Sequence, residues 1–248
     1  MSNSMSYMLD RACNRSIDWT KKLLKKLLRR NWIYYEDNFT RFLNYINPGM
    51  LEPGNVYAFD YVIRNLDCEG AILEIGSFAG LSTNLVIYFL EKHHRNNRFI
   101  TVDPWKLRDD STPFYNGKFA FKEYNSFVKD SFKRNVSFFN PDHLPYTIED
   151  VSSSFFEKWK HQEVVNDVFG RSVKLGGALS FCYIDGDHAP ASVELDFTLC
   201  DQYLARNGFM LFDDSTWDDV NVVMHKILAT GRYKLVMRNP NYLFQKIA

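Results

Sequence analysis

Carboxylates and glycines stand at the ends of four short apolar runs in this 248-residue chain, and that placement is where chemistry is first visible. Ala71-Ile72-Leu73-Glu74-Ile75 runs into Gly76-Ser77-Phe78-Ala79-Gly80, then Leu81-Ser82-Thr83. Arg98–Val102 closes on Asp103. Leu179–Ile184 closes on Asp185-Gly186-Asp187-His188, and Phe209–Phe212 on Asp213-Asp214-Ser215. Gly76 and Gly80 let the backbone turn sharply and approach a ligand closely. A helix starting after such a turn offers unpaired N–H groups. Asp103, ending the next run, can hold two ribose hydroxyls. Turn, helix and acid together predict a nucleoside ligand. A nicotinamide dinucleotide would want a second glycine facing its pyrophosphate. Phe78 occupies that position, so a ligand without pyrophosphate fits better.

The second cluster has a different logic. Asp185, Asp213 and Asp214 fall on two strand ends, and three carboxylates held together are costly unless a cation neutralises them. Oxygen-only donors suit Mg²⁺, or alternatively Mn²⁺ or Ca²⁺, rather than zinc. His188, three residues past Asp185, is placed to take a proton from a hydroxyl. The alternative is plainer: Asp213 and Asp214 cap the following helix, while Asp187 and His188 face solvent.

The elements that must position these residues follow from periodicity. Helices are expected over 38–47 and 55–66, split by Pro48-Gly49 and Pro53-Gly54, with Asn55 as N-cap of the second. Strand 71–75, helix 80–93 and strand 98–102 make a βαβ unit, which implies parallel neighbours. Residues 104–134 are polar and aromatic with weak periodicity, and their aromatic side chains suit a lid over an acceptor or ordinary packing. A short strand is expected over Val136–Phe139, a helix over 153–162 and an insertion over 163–178. Strand 179–184, helix 191–204, strand 209–212 and helix 220–229 resume the alternation. Strands 233–237 and 242–247 close it, with Asn239-Pro240-Asn241-Tyr242 as their hairpin turn. The fold class is therefore α/β: a Rossmann-like, doubly wound, mostly parallel sheet with a C-terminal antiparallel hairpin and an N-terminal helical extension. The division is residues 1–66 as extension or cap and 67–248 as the α/β domain. In such sheets ligands bind at the carboxyl ends of the strands.

The run Leu73–Thr83 resembles the first motif of class I S-adenosylmethionine-dependent methyltransferases. Tyr183-Ile184-Asp185-Gly186-Asp187-His188, with Gly208-Phe209-Met210-Leu211-Phe212-Asp213-Asp214, is similar to the macrocin O-methyltransferase group, metal-dependent enzymes that methylate hydroxyls of sugars and other natural products. The resemblance spans about residues 70–215. It implies S-adenosylmethionine as cofactor, with Glu74, Gly76, Ser77 and Gly80 on its methionine side. Ser82 and Thr83 would lie near its carboxylate, Asp103 at its ribose and Asp150 toward its adenine. It further implies Mg²⁺ on Asp185, Asp213 and Asp214, with Asp185 and His188 as catalytic groups and His188 as base. The chain departs from the group in having Asn207-Gly208 where many relatives have two glycines. Alternatives are a metal-independent or nitrogen-directed methyltransferase, a non-catalytic nucleoside-binding module, and a dehydrogenase.

Bulk properties narrow the setting. Net charge is formally zero, which argues against a nucleic-acid partner. The four cysteines form no metal or redox spacing. No signal-peptide pattern or membrane-spanning run is present, so a cytoplasmic protein with a small hydroxylated acceptor is expected. Residues 17–30 read as a basic amphipathic helix. Its leucine face would pack on the domain or pair with a second subunit, and its basic face allows peripheral contact with a membrane.

Overall fold

The computed structural model describes residues 32–106 and 108–248. The basic helix expected over 17–30 lies outside the described residues. Helices α1 (Asn38–Ile46) and α2 (Pro53–Arg64) precede strand β1 (Ala71–Ile75), helix α3 (Leu81–Lys92) and strand β2 (Phe99–Val102). A small hairpin, β3 (Pro113–Phe114) and β4 (Phe119–Ala120), leads into the long helix α4 (Phe121–Phe139). Strand β5 (Tyr146–Ile148), helix α5 (Ser152–Lys160), and a second hairpin of β6 (Val164–Asn166) and β7 (Ser172–Lys174) follow. The chain ends with β8 (Leu179–Ile184), α6 (Pro190–Tyr203), β9 (Leu204–Phe212), α7 (Asp218–Ala229), β10 (Tyr233–Arg238) and β11 (Tyr242–Lys246).

Seven strands form one sheet in the order β10-β11-β9-β8-β1-β2-β5. From β9 through β5 the neighbours are parallel, while β11 is antiparallel to both β9 and β10. The expected mostly parallel sheet and closing hairpin are both present. Strand order reverses between β1 and β8, so the crevice for a ligand opens above those two strand ends.

The central strands are buried along their whole lengths, because helices cover both faces. On one face Leu73, Ile75, Cys182 and Phe212 pack against Phe155 and Trp159 of α5, Phe197 of α6 and Met224 of α7. On the other, Ile72, Phe181, Tyr183 and Leu211 meet Phe59 of α2, Phe89 of α3 and Phe132 of α4. Residues 34–66, expected in an N-terminal extension, belong with the sheet to one compact unit, Tyr34–Ala248. Among the described residues, no helix is long and apolar enough to cross a membrane.

Two local expectations change. Val136–Phe139 is the last turn of α4, not a strand. Val128, Phe132 and Val136 recur every four residues and bury one face of that helix, which a four-residue apolar run cannot reveal by itself. Asn55 lies inside α2; Glu52 takes the N-cap position and Pro53 the first helical position, which proline's fixed φ favours. The aromatic stretch after Asp103 packs on itself. Phe114 stacks on Tyr124 with centroids 4.4 Å apart, and buried Trp105 lies 5.2 Å from the Phe132 ring.

Gly76 shows why the strand ends are close. Its φ is +83°, and a Cβ there would lie 2.0 Å from the carbonyl oxygen of Asp185. A side chain at this position would meet the neighbouring strand's backbone. Gly76→Val therefore strains both strand ends at once, and is expected to lose roughly 3 kcal/mol or more. Chemical denaturation against wild type checks this; an unshifted midpoint would show that the two strands can separate freely.

Candidate active site

The cleft begins at the glycine turn. Gly80 caps α3 in the left-handed region, and no side chain caps the first turn of that helix. Its N–H groups thus suit an anionic end of a ligand. Gly49, Met50 and Leu51, in the loop between α1 and α2, face Ser77, Phe78, Ala79, Leu81, Ser82 and Asp185 across this cleft.

The turn is braced from within. Asp103, at the end of β2, accepts hydrogen bonds on Oδ2 from the N–H groups of Ser77 (2.8 Å) and Phe78 (2.9 Å). Its Oδ1 accepts from the N–H of Trp105 at 2.6 Å. Burial raises the Asp103 carboxyl above its usual range, against those three donors. The acid expected at a ribose thus also holds the loop. The Trp105 indole N–H donates to the Phe78 carbonyl at 2.9 Å and fastens the turn from outside.

Glu74 is fully buried in β1. It accepts the hydroxyls of Ser82 and Thr83, at 2.5 and 2.6 Å. The two hydroxyls expected at a cofactor carboxylate therefore tie the start of α3 to β1. Asp150 is also committed locally: it accepts from the Val151 N–H and the Ser154 hydroxyl and pairs with Lys158 at 2.6 Å, at the start of α5.

The acids after β8 and β9 divide. Burial, then the Asp213 charge, pushes the Asp185 carboxyl well up. The Tyr183 hydroxyl donates to Asp185 Oδ2 at 3.0 Å. Asp214 turns away. Its φ of +46° sends its carboxylate toward His188, whose Nε2 lies 3.4 Å from Oδ2. Burial raises the Asp214 carboxyl, Asp213 adds to this, and His188 opposes it. The expected three-carboxylate centre is therefore a pair plus an Asp–His couple. Among the described residues, no group of three or more His, Cys, Asp or Glu is arranged to hold a metal ion. Asp187 accepts the Ser192 hydroxyl and the Ala189 N–H at the start of α6, and the Ser192 bond chiefly lowers its carboxyl below the ordinary range.

Sequence reasoning missed Asn55, Asn241 and Tyr183. Asn55 Nδ2 donates to Asp213 Oδ1 at 2.8 Å, and Asn241 Nδ2 donates to the same oxygen. An asparagine on the inward face of a helix's first turn was the available signal, but a capping role explained it equally well. Asn241 was legible only as a turn residue.

A family defined by a methyltransferase domain matches residues 73–215, from within β1 to just past Asp214. The chain belongs to this family. The resemblance to class I methyltransferases, expected over about 70–215, is borne out, and the chain is an S-adenosylmethionine-dependent methyltransferase. No curated protein matches the sequence. Solved structures share the fold of this methyltransferase. An O-methyltransferase from Bacillus cereus in complex with S-adenosylhomocysteine is 12% identical, with 91% of this chain and 97% of that one covered and a TM-score of 0.54. The S-adenosylhomocysteine-bound Podospora anserina methyltransferase PaMTH1 is 10% identical over 92% and 96%, with a TM-score of 0.55. CalS11, a calicheamicin methyltransferase, is 14% identical over 88% and 95%, with a TM-score of 0.52.

The methyltransferase buries Glu74 at a cost that depends on pH. Burial raises its carboxyl to about 7, with the Ser82 and Thr83 hydroxyls opposing. Its folded value lies above its unfolded one. Its contribution is therefore full below about pH 4.5 and is lost as pH rises through about 7. The unfolding temperature should fall between pH 5 and pH 8, with Glu74 contributing about 3 kcal/mol to the change. Glu74→Gln should flatten that slope in a calorimetric pH series. An unchanged slope would assign it to other groups.

Proposed function

We propose that this methyltransferase moves the methyl group of S-adenosylmethionine to a hydroxyl of a small molecule bearing a ring, such as a sugar or another natural product. The observation that carries the reading is the His188–Asp214 couple standing beside an exposed aromatic ring. His188 is partly exposed, and its ring centroid lies 5.3 Å from that of Trp217, which is 54% exposed at the start of α7. A ring of the acceptor can lie on Trp217 while its hydroxyl meets His188. The Bacillus cereus O-methyltransferase and the calicheamicin methyltransferase, similar in fold, support a hydroxyl acceptor and a natural product respectively.

A hydroxyl is a weak nucleophile until its proton has a destination. Asp214 engages His188 Nε2, which leaves Nδ1 for the acceptor's proton; this is the orienting role that an acid plays beside a catalytic histidine. The bound cofactor supplies a methyl group on a positively charged sulfur and is left as S-adenosylhomocysteine. The rest is positioning: the glycine turn and α3 hold the cofactor side, and His188 and Trp217 hold the acceptor side.

Magnesium dependence is the finer part of this proposal. Asp185 and the buried Asp213, on neighbouring strand ends, are oxygen donors of the kind the ion takes, and a cation would relieve their repulsion as a proton does. Asp214, facing His188, is outside that pair. Bound there, the ion would act as a Lewis acid on the acceptor oxygen. The free thiols of Cys68, Cys182 and Cys200 support a cytoplasmic setting. Exposed Phe42, Tyr45 and Ile46 on α1 support pairing of subunits through the N-terminal helices.

The test is a screen of hydroxylated ring compounds for S-adenosylhomocysteine release, repeated with His188→Ala. Turnover should fall by about 10²–10⁴ with S-adenosylhomocysteine affinity kept. Full activity in the variant would remove His188 as base. Trp217→Ala should raise the acceptor KM more than it lowers kcat, and an unchanged KM would place the acceptor elsewhere. Chelator should lower turnover and Mg²⁺ restore it; indifference to both would leave Asp185 and Asp213 as a proton-sharing pair.

A further inference from the structure

A chain of asparagine side chains runs from α4 through α3 to α1 and ends on the glycine turn. Asn47 closes α1: its N–H still donates to the Leu43 carbonyl at 2.9 Å, while its extended backbone and Pro48 take the chain out of the helix. Its buried side chain donates through Nδ2 to the Ala79 carbonyl at 3.0 Å and to the Pro48 carbonyl at 3.1 Å. Asn84 of α3 donates to Asn47 Oδ1 at 2.6 Å, and Asn140, which closes α4, donates to Asn84 Oδ1 at 2.6 Å. Asn135 of α4 donates to the same Ala79 carbonyl at 2.9 Å. One carbonyl of the turn is thus held from both α1 and α4.

What Asn47 carries is the loop behind it. Gly49, Met50 and Leu51 follow, and they line the cleft opposite Ser77, Phe78 and Leu81. Gly49 lies directly on the start of α3, where a Cβ would come 2.6 Å from the Leu81 Cβ. Leu51 rests on the core at the far end of the loop, but Met50 at its tip is 81% exposed. The near end is therefore held by the Asn47 amide and by the Gly49 contact. A neutral amide suits that post, since it donates and accepts at once and puts no charge into a buried place.

We propose that Asn47 is a positioning residue that anchors the 49–51 loop as the cover of the cofactor cleft, and that this anchor sets how long the cofactor stays bound. This rests on the reading of the glycine-turn cleft as the cofactor site. Asn84 fixes the amide the right way round: with its Nδ2 on the Asn47 carbonyl, the Asn47 nitrogen must face Ala79 and Pro48. The floor of the cleft has braces of its own, in Asp103 under the turn and Glu74 under α3. Loss of the anchor therefore frees the cover and leaves the floor in place, and a freed cover acts chiefly on escape of the bound molecule.

Surface plasmon resonance on the full chain, with S-adenosylhomocysteine as probe, reads both rates and needs no acceptor. Asn47→Ala should raise the dissociation rate about tenfold, with association within about twofold of wild type. Gly49→Ala leaves the amides intact but pushes the loop off Leu81, and should raise dissociation likewise. Asn135→Ala frees the same Ala79 carbonyl without touching the loop, and should raise it by no more than about twofold. An unchanged dissociation rate in Asn47→Ala overturns the anchor. An equal rise in Asn135→Ala does so too, because the amide would then be protecting the turn and not the cover. Slower association with unchanged dissociation, which a merely damaged fold would give, also overturns it. Should Asn47→Ala fail to fold, Gly49→Ala decides alone, and unchanged dissociation there overturns the anchor. If wild type binds no S-adenosylhomocysteine, the reading of the cleft has failed and takes the anchor with it; normal binding by wild type with unmoved variants overturns the anchor alone.

Discussion

Carboxylates crowded at the carboxyl edge of a sheet, away from water, are the constraint on which the rest of this structure depends. Each must find donors or share a proton, since an uncompensated buried charge is among the costliest features a fold can carry. Glu74 is answered by two hydroxyls, Asp103 by three N–H groups, Asp185 by Tyr183, and Asp213 by two asparagines. None of these partners carries a full positive charge. The structure therefore answers these acids with hydrogen bonds rather than ion pairs.

That choice explains the placement of elements otherwise remote from chemistry. Helix α2 brings Asn55 across one face of the sheet, and the terminal hairpin brings Asn241 from the far side of β9. Because β11 sits between β9 and β10, the turn that precedes it lands beside the end of β9. Buried polar networks of this kind fix a unique arrangement only when all their members are satisfied.

The contrast within the acidic cluster is instructive. Asp213 and Asp214 are adjacent in sequence yet serve different partners, because the backbone at Asp214 enters the left-handed region and swings its side chain toward His188. Two consecutive aspartates look equivalent on paper. One backbone angle makes one of them a buried member of a carboxylate pair and the other an orienting group for a half-exposed histidine.

Much of the fold was legible because it rests on local patterns. Alternating apolar strands and amphipathic helices imply a parallel sheet, glycine and acid mark its carboxyl edge, and that edge draws attention to Asp185, Asp213 and His188. The helical state of Val136–Phe139 was not legible, since a four-residue apolar run suits either a strand or a helix end. The partner of each polar group was hidden for a stronger reason. Ser82 and Thr83 hydroxyls suit a ligand as well as Glu74 does; Asp103 suits a ribose as well as a loop; Asn55 suits a cap as well as a carboxylate. Sequence by itself determined the sheet, its motif and the family that motif belongs to, because hydrophobic period and turn chemistry act over neighbouring residues. Which polar groups face the cleft and which face one another was decided only by tertiary structure, because hydrogen-bond partners separated by 158 or 186 residues meet only when the sheet is assembled.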